Sequence, residues 1–187
     1  MNGVRIIGGQ WRRRVLRFAN GEDLRPTPDR VRETLFNWLG QDLSGLSCLD
    51  LFAGSGALGF EAASRGASRV VMVERSAQAV ASLEANVRLL KAENQLEIIH
   101  ADAVEFASSW NPSGLRFDVL FLDPPYKKGW ITTLKPLIPR LLASDGMLYV
   151  ESESSLESCG KWNTVRCGRA GQVFYHLMRN KETDGAR

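Results

Sequence analysis

The chain has 187 residues, of which 44% are hydrophobic and 24% charged, values that suit one globular domain able to bury a core without disulfides. No apolar run approaches the roughly 18–20 residues of a membrane-spanning helix, and no signal peptide is evident, so we expect a cytoplasmic protein without membrane association. The formal net charge is only +3, yet residues 1–32 hold eight arginines against three acidic residues.

The N-terminal segment is predicted to form a hairpin followed by a helix. Residues 4–7 and 15–18 resemble two short strands, and they flank a turn that contains Arg12, Arg13 and Arg14. A helix is predicted where apolar side chains recur at helical spacing, over residues 29–39. We expect three segments: a basic hairpin extension over 1–24, a main domain over 25–180 and a disordered tail over 181–187.

The middle of the chain alternates short apolar strands with helices. Such alternation predicts a mostly parallel, doubly wound α/β sheet with helices on both faces, of the Rossmann-like kind. No helical pattern separates the last two strands, so they are expected to form an antiparallel hairpin and to bring the sheet to seven strands. The predicted strands are 48–52, 70–74, 96–100, 117–122, 147–151, 162–166 and 173–178. The predicted helices are 59–65, 77–90, 103–108 and 134–142, the last interrupted early by Pro136 and Pro139.

Three glycines follow the first strand of this sheet at a strand-to-helix turn. Gly54, Gly56 and Gly59 form the pattern G-x-G-x-x-G, in which glycine permits a tight turn and lets a ligand approach the backbone. Glu74 ends the second strand, where a carboxylate can accept hydrogen bonds from ribose hydroxyls. NAD enzymes share both features, so these features indicate an adenosine-type cofactor without distinguishing which one.

Two further acids favour S-adenosylmethionine, which has no pyrophosphate but carries an ammonium and a sulfonium. Asp50 lies in the strand before the loop, where its carboxylate can hold the ammonium group. Asp102 follows the third strand and can accept from the adenine amine, and it can cap the following helix as well. The predicted cofactor-binding residues are Asp50, Phe52, Ala53, Gly54, Gly56, Gly59, Glu74, Arg75, Asp102 and Ala103.

The predicted catalytic residues are Asp123, Pro124, Pro125 and Tyr126, directly after the fourth strand and at the same expected sheet edge as the Gly-rich loop. An exocyclic amine on a nucleobase is a poor nucleophile because its lone pair is delocalised into the ring. The Asp123 carboxylate and the Pro124 carbonyl can accept its two N–H groups and aim the lone pair at a methyl group. Tyr126 offers a face for an extruded base, worth about 1–3 kcal/mol. The residues alone leave guanine or adenine, and RNA or DNA, open.

Arginine is the only basic residue type in the first 32 positions. Its planar fork suits phosphate, so a nucleic acid is the expected partner, with a solvated hairpin face as the alternative. Arg30 and Arg32 point in different directions on their helix, so one can face RNA while the other pairs with Glu33 or Asp29. The predicted RNA-binding residues are Arg5, Arg12, Arg13, Arg14, Arg17, Arg25 and Arg30.

The cysteines and histidines show no pattern of metal ligands. Cys48, Cys159 and Cys167 contain no CxxC pair, and His100 and His176 lie far apart in sequence. We therefore expect no metal site, and a reducing compartment disfavours a disulfide between the last two cysteines.

Taken together, these motifs resemble the bacterial 16S rRNA guanine-N2 methyltransferases of the small ribosomal subunit. The resemblance spans Arg5 to about Met178, and its most specific blocks are residues 5–11 and 25–39. It implies a class I methyltransferase fold, S-adenosylmethionine as methyl donor, and 16S rRNA in an assembled or partly assembled 30S particle as substrate. We expect the enzyme to act as a monomer. Tyr126 stands where phenylalanine is frequent in the family and Arg13 where small residues are frequent, and neither departure threatens the activity.

Other functions fit the residues less well. DNA adenine-N6 and protein-glutamine methyltransferases use similar loops, but the former usually need a target-recognition domain and the latter give no reason for the arginines. An NAD oxidoreductase would leave the Asp-Pro-Pro-Tyr motif unexplained. A non-catalytic ribosome-assembly factor would not need the four acids of the expected site, which are Asp50, Glu74, Asp102 and Asp123.

Overall fold

The computed structural model describes residues 2–18, 26–111, 114–126 and 128–180, and the chain divides into two compact units, Met1–Ala103 and Val104–Arg187. The first unit begins with β1 (Asn2–Arg5) paired antiparallel with β2 (Val15–Phe18). The predicted hairpin is therefore confirmed, and its first strand lies two residues before the predicted 4–7. The predicted tail over 181–187 lies outside the described residues, as does Arg25.

The rest of the first unit alternates helices with parallel strands, as predicted. β4 lies in the middle and pairs in parallel with β3 on one side and with β5 on the other. The helix predicted over 29–39 is confirmed at both ends. The elements are α1 (Asp29–Leu39), β3 (Ser47–Asp50), α2 (Ala57–Ser64), β4 (Arg69–Glu74), α3 (Ala77–Leu90) and β5 (Leu96–His100).

The hairpin packs on α3 of the same unit. Leu16 and Phe18 alternate with exposed residues along β2 and are buried, as a strand with one covered face requires. The buried side chain of Asn86 binds the backbone of Arg17 at both polar groups, accepting from its N–H at 3.3 Å and donating to its carbonyl at 2.9 Å. At Arg17, the Asn86 side chain therefore makes the two backbone hydrogen bonds that a neighbouring strand would otherwise make.

The second unit contains a mixed sheet. β6 pairs in parallel with β7, whereas β10 pairs antiparallel with both β7 and β9, and β9 pairs antiparallel with β8. The antiparallel C-terminal hairpin is therefore confirmed as β9 and β10. The elements are α4 (Ala103–Ser109), β6 (Phe117–Leu122), α5 (Trp130–Leu134), α6 (Ile138–Leu141), β7 (Leu142–Ser152), β8 (Ser158–Cys159), β9 (Trp162–Ala170) and β10 (Val173–Asn180).

The second unit differs from the expectation in two details. The helix predicted over 134–142 is interrupted at its prolines: α5 ends at Leu134, and α6 covers only Ile138–Leu141. Pro136 lies between them and lacks the N–H that a continuous helix needs, and Pro139 lies in the first turn of α6, where that N–H is not needed. Leu142 already belongs to β7, which is longer than predicted. Apart from the N-terminal hairpin, all seven predicted strands are present among the described residues, and the two-residue β8, which pairs with β9, adds an eighth. No helix in the described part of the chain is long and apolar enough to cross a membrane.

Candidate active site

The Gly-rich loop of the first unit has a backbone that only glycine adopts readily. Gly54 and Gly56 have φ angles of 53° and 79°, in the left-handed region. Gly59 meets a different requirement, because a Cβ there would lie 2.4 Å from the sulfur of Met72 on β4. The first two glycines therefore shape the turn, and the third allows α2 to pack closely on the sheet.

Glu74 holds this loop through its carboxylate. One carboxylate oxygen accepts from the Gly54 N–H at 2.9 Å, and the other accepts from the Ser76 N–H at 2.8 Å, just before α3. The side chain is half-buried at the end of β4. The predicted contact to a ribose stays a prediction, and the structure adds a role in fixing the loop.

Asp50 is the buried acid at the end of β3, with 1% of its surface exposed. Burial raises the pKa of Asp50 to about 7; hydrogen bonds from the backbone N–H groups of Phe52 and Gly59 oppose this, and the charge of Glu74 adds to it. Among the described residues, its Oδ1 atom has no hydrogen-bond partner. A cationic group would satisfy this oxygen and favour the ionised carboxylate, so the site fits an ammonium ligand.

The other predicted cofactor-binding residues lie beside these strand ends. The Ala53 N–H donates to the Val73 carbonyl at 3.0 Å, and the Arg75 carbonyl accepts from Nε2 of His100 at 3.0 Å. Phe52 is half-buried and Arg75 exposed. Within the described residues, no three metal-ligating side chains come together. Two more predicted residues follow β5: Asp102 is half-buried and Ala103 is buried.

The predicted catalytic loop belongs to the second unit and directly follows β6. Asp123 and Pro125 are half-buried, and Pro124 is buried. Tyr126 is 45% exposed. Burial, and after it the negative charges of nearby carboxylates, raises the pKa of Tyr126 above its ordinary value, so the phenol stays neutral. The carboxylates that act on it belong to Asp123, Glu151 and Glu153.

A buried pair on β7 supports this loop. The Tyr149 hydroxyl donates to Oε1 of Glu151 at 2.8 Å, and both side chains are buried. Burial raises the pKa of Tyr149, and the charges of Glu151 and Asp123 raise it further. The ring of Tyr149 also packs edge-on against Phe121 on β6, with 6.3 Å between centroids. The pair therefore connects the strand that precedes the loop with the neighbouring strand.

An open cleft of about 400 Å³ lies beside Tyr126 within the second unit. The Arg169 guanidinium lies over the ring of Phe174, 5.1 Å from its centroid, and its Nε donates to the Gly171 carbonyl at 2.9 Å. The cleft thus combines two aromatic rings with charged and amide groups. Its lining residues are Tyr126, Glu153, Arg169, Gln172, Val173 and Phe174.

Glu61 is a buried acid in α2 that organises the turn of the N-terminal hairpin. Its Oε1 accepts from the Gly8 N–H at 2.8 Å and from Nε of Arg65 at 2.9 Å. Its Oε2 accepts from the Ile7 N–H at 2.9 Å and from Nη1 of Arg32 at 3.1 Å. Two cations and two backbone N–H groups therefore surround one fully buried carboxylate.

The turn of the hairpin also contacts the end of α2. The hydroxyl of Ser64 accepts from the Trp11 N–H at 3.0 Å and donates to the Gly8 carbonyl at 2.6 Å. A Cβ at Gly8 would lie 2.5 Å from the guanidinium carbon of Arg65, and one at Gly9 would lie 1.8 Å from the Ser64 carbonyl oxygen. This close approach explains why two glycines precede the arginines.

Most of the predicted RNA-binding arginines are exposed. Arg32, the alternative to Arg30, is buried and pairs with Asp29 and Glu61, so Arg30 is the one that faces solvent. Arg13 has a φ angle of 72°, at the point where the turn reverses. The exposed predicted residues are Arg5, Arg12, Arg13, Arg14, Arg17 and Arg30.

Comparisons with known proteins agree with the resemblance noted in the sequence. The model of a family described as conserved hypothetical protein 95 matches residues 4–179. Ribosomal RNA small subunit methyltransferase D of Escherichia coli (strain K12) is 40% identical over 183 residues, covering 95% of this chain and 90% of the relative. The chain belongs to the ribosomal RNA small subunit methyltransferase D family. The Haemophilus influenzae protein of that name is 40% identical over 182 residues, covering 95% and 94%.

Solved structures show the same fold as this member of the methyltransferase D family. A putative methyltransferase from Escherichia coli has a TM-score of 0.85 and 40% identity, covering 96% of this chain and 98% of that chain. An RNA methyltransferase from Salinibacter ruber, solved with S-adenosyl-L-homocysteine, has a TM-score of 0.65 at 17% identity, covering 84% and 95%, and supports the fold alone. The Rossmann-like fold class is confirmed.

The sequence did not indicate two features of this methyltransferase D family member: the Tyr149–Glu151 pair, and the contacts of Glu61 with the hairpin turn. Tyr149 and Glu151 lie at the end of the strand predicted over 147–151, and the pattern of that strand did not indicate a supporting pair. Glu61 gave a signal that could have been used, because it is the one charged residue in an otherwise apolar and small helical segment. An acid in such a helix predicts a buried cationic partner.

Proposed function

We propose that the protein transfers a methyl group from S-adenosylmethionine to the N2 amine of one guanine in 16S rRNA of the 30S particle, acting as a cytoplasmic monomer. The observation that carries the proposal is the loop after β6, where half-buried Asp123 and buried Pro124 precede the exposed ring of Tyr126. Membership of an rRNA methyltransferase family supports rRNA as the substrate.

The first unit supplies the residues that would hold the cofactor. Asp50 would hold the ammonium group of the methionine part, because its Oδ1 is buried and has no partner among the described residues. Glu74 keeps the Gly54 backbone in place and would accept from the ribose hydroxyls. When bound, S-adenosylmethionine supplies a methyl group activated by the neighbouring sulfonium.

Binding of S-adenosylmethionine is expected to weaken as the pH falls below about 7, because its ammonium group requires an ionised Asp50. Below that pKa each pH unit lowers the affinity by about tenfold. In the ligand-free protein, Asp50 has the opposite effect on stability: its contribution is larger at low pH. Its Asp50 pKa is raised above the unfolded value, so this group's contribution to the free energy of unfolding falls as the pH rises from about 4 to about 7.

Calorimetric titration across this pH range measures the effect. Asp50→Asn should bind more weakly than the wild type and should lose this part of the pH dependence. Glu93→Gln, at an exposed position after α3, is the matched control and should behave as the wild type. A wild-type affinity that stays constant from about pH 5.5 to about pH 7.5 would contradict the assignment of Asp50.

The second unit supplies the residues that would hold the base. The Asp123 carboxylate and the Pro124 carbonyl would each accept one N–H of the amine, which localises its lone pair for attack. The neutral Tyr126 ring would stack on the base, at about 1–3 kcal/mol. Once the nitrogen is alkylated it becomes cationic, and Asp123 stabilises that charge and can receive the proton.

The arginines of the hairpin would bind phosphates of the rRNA. Glu61 and Ser64 fix the backbone of the turn that carries Arg12, Arg13 and Arg14. A cationic group that is held in place loses less conformational entropy on binding than a mobile one. These contacts would position the particle without reading bases.

Transfer of labelled methyl to 30S particles that lack the modification tests the proposed function. We expect incorporation into 16S rRNA, and digestion to nucleosides with mass spectrometry should identify N2-methylguanosine. The same assay includes naked 16S rRNA, double-stranded DNA and ribosomal protein as competing acceptors. Label confined to DNA or protein, or N6-methyladenosine as the product, would overturn the proposal.

A further inference from the structure

The cleft beside Tyr126 holds more polar groups than methyl transfer to an amine requires. Glu153 is exposed at the end of β7, and Arg169 and Gln172 belong to the hairpin of β9 and β10. Asp123 and Pro124 already account for the two N–H groups of the amine under the proposed function, on which this inference rests. The extra groups of the cleft are therefore available to read the rest of the base.

Guanine differs from the other amino bases in the atom next to its amine. Its N1 carries a hydrogen and donates, and its O6 accepts. The ring nitrogen next to the amine in adenine, cytosine and 2-aminopurine has a lone pair and no hydrogen. A site that selects guanine therefore needs an acceptor facing N1 and a donor facing O6. A carboxylate facing N1 also repels the lone pair of the wrong base.

Glu153 is the carboxylate of the cleft that suits this role. It lines the cleft together with Tyr126, and its negative charge is among the causes that raise the Tyr126 pKa. Glu151 is buried and accepts from the Tyr149 hydroxyl, so that hydrogen bond already engages it. Glu153 is exposed, and no hydrogen bond within the described part of the chain holds its carboxylate, so it can turn to a base without breaking one.

Arg169 is the donor of the cleft whose position is best defined. Stacking on Phe174 and the Nε bond to Gly171 fix the plane of its guanidinium. The structure shows no acceptor for its two terminal nitrogens among the described residues, so both can serve a ligand. A planar cation held in this way suits a carbonyl oxygen such as O6.

We propose that Glu153 determines base specificity by accepting the N1–H of guanine, with Arg169, which lines the same cleft, donating to O6. Tyr126 then stacks on the base whose edge these two residues read. The amine is left to Asp123 and Pro124. Selection of guanine thus comes from residues outside the catalytic loop.

The test changes the hydrogen-bonding groups of the target base and, separately, those of the side chain at position 153. The position that the wild type methylates is mapped first, and 16S rRNA with 2-aminopurine at that position is prepared by ligation and assembled into 30S particles. 2-Aminopurine keeps the N2 amine but has a lone pair on N1 and no O6. The wild type should methylate guanosine about 100-fold faster than 2-aminopurine, or more.

Glu153→Gln should lower the ratio of the guanosine rate to the 2-aminopurine rate by about tenfold or more. The reason is that the glutamine amide can turn its NH₂ group toward the N1 lone pair. Its rate on 2-aminopurine should rise, which simple damage to the fold does not produce. Glu157→Gln, at an exposed position nearby in sequence, should keep the wild-type preference. Melting temperatures of both variants check that they fold as the wild type does.

The outcomes separate this inference from the proposed function. If the wild type methylates no guanosine, the proposed function itself fails. If the wild type methylates guanosine but Glu153→Gln keeps the full preference over 2-aminopurine, Glu153 does not read N1 and the inference is overturned. Equal wild-type rates on the two substrates would overturn it as well.

Discussion

Asp123→Ala is expected to lower kcat by about 10²–10³-fold while leaving the affinity for S-adenosylmethionine nearly unchanged. The reason is that Asp123 belongs to the second unit and would act on the amine of the base, whereas Asp50 and Glu74 of the first unit would hold the cofactor. Single-turnover methylation of 30S particles measures the rate, and calorimetric titration measures cofactor binding.

Two further variants sharpen this experiment. Asp123→Asn keeps an oxygen that can accept from the amine but loses the charge, so its rate should fall between those of the wild type and Asp123→Ala. Asp145→Ala removes an exposed carboxylate of the same unit and should have little effect. If Asp123→Ala lost cofactor binding and turnover to the same extent, the loop would be a structural turn and not a catalytic one.

Glu61→Gln is expected to lower the free energy of unfolding by about 3–5 kcal/mol. The substitution leaves the guanidinium groups of Arg32 and Arg65 buried without their shared carboxylate. Urea denaturation followed by circular dichroism measures the loss. The same variant should bind 30S particles more weakly, because the backbone of Ile7 and Gly8 loses the carboxylate that orients the arginine turn.

Glu84→Gln is the matched control for this substitution. Glu84 is exposed on α3, and its Oε2 lies 3.9 Å from Nη1 of Arg88, one helical turn away. An exposed pair of this kind contributes about 0.3–0.5 kcal/mol, so the control should unfold almost as the wild type does. A loss below about 1 kcal/mol for Glu61→Gln would show that the buried network does not stabilise the hairpin.

Local patterns predicted the regular elements of this fold well. The helices over 29–39 and 77–90 and the strands over 96–100 and 117–122 begin and end where the sequence indicates, because apolar spacing and turn residues agree there. The helix predicted over 134–142 is the exception. Pro136 lies between α5 and α6 and removes a backbone donor that a continuous helix needs, whereas Pro139 lies in the first turn of α6, where proline is tolerated.

In the site as well, features within one short segment could be predicted from the sequence, whereas features built from distant segments could not. The Gly-rich loop and the Asp123 loop are continuous in sequence, so their residue types could be read directly. The cleft beside Tyr126 combines Glu153 after β7 with Arg169 and Phe174, which lie across from each other in the β9–β10 pairing. Strand register places such residues together, and register does not follow from the local pattern of one strand.

The contact between Asn86 and β2 has a consequence for solubility and assembly. A two-stranded sheet has two outer edges, and an edge strand with open N–H and C=O groups is a template for pairing with another chain. Asn86 occupies both backbone groups of Arg17, so a foreign strand would have to displace a buried side chain before it could align there. At Arg17 the hairpin is therefore protected against β-addition of a foreign polypeptide strand.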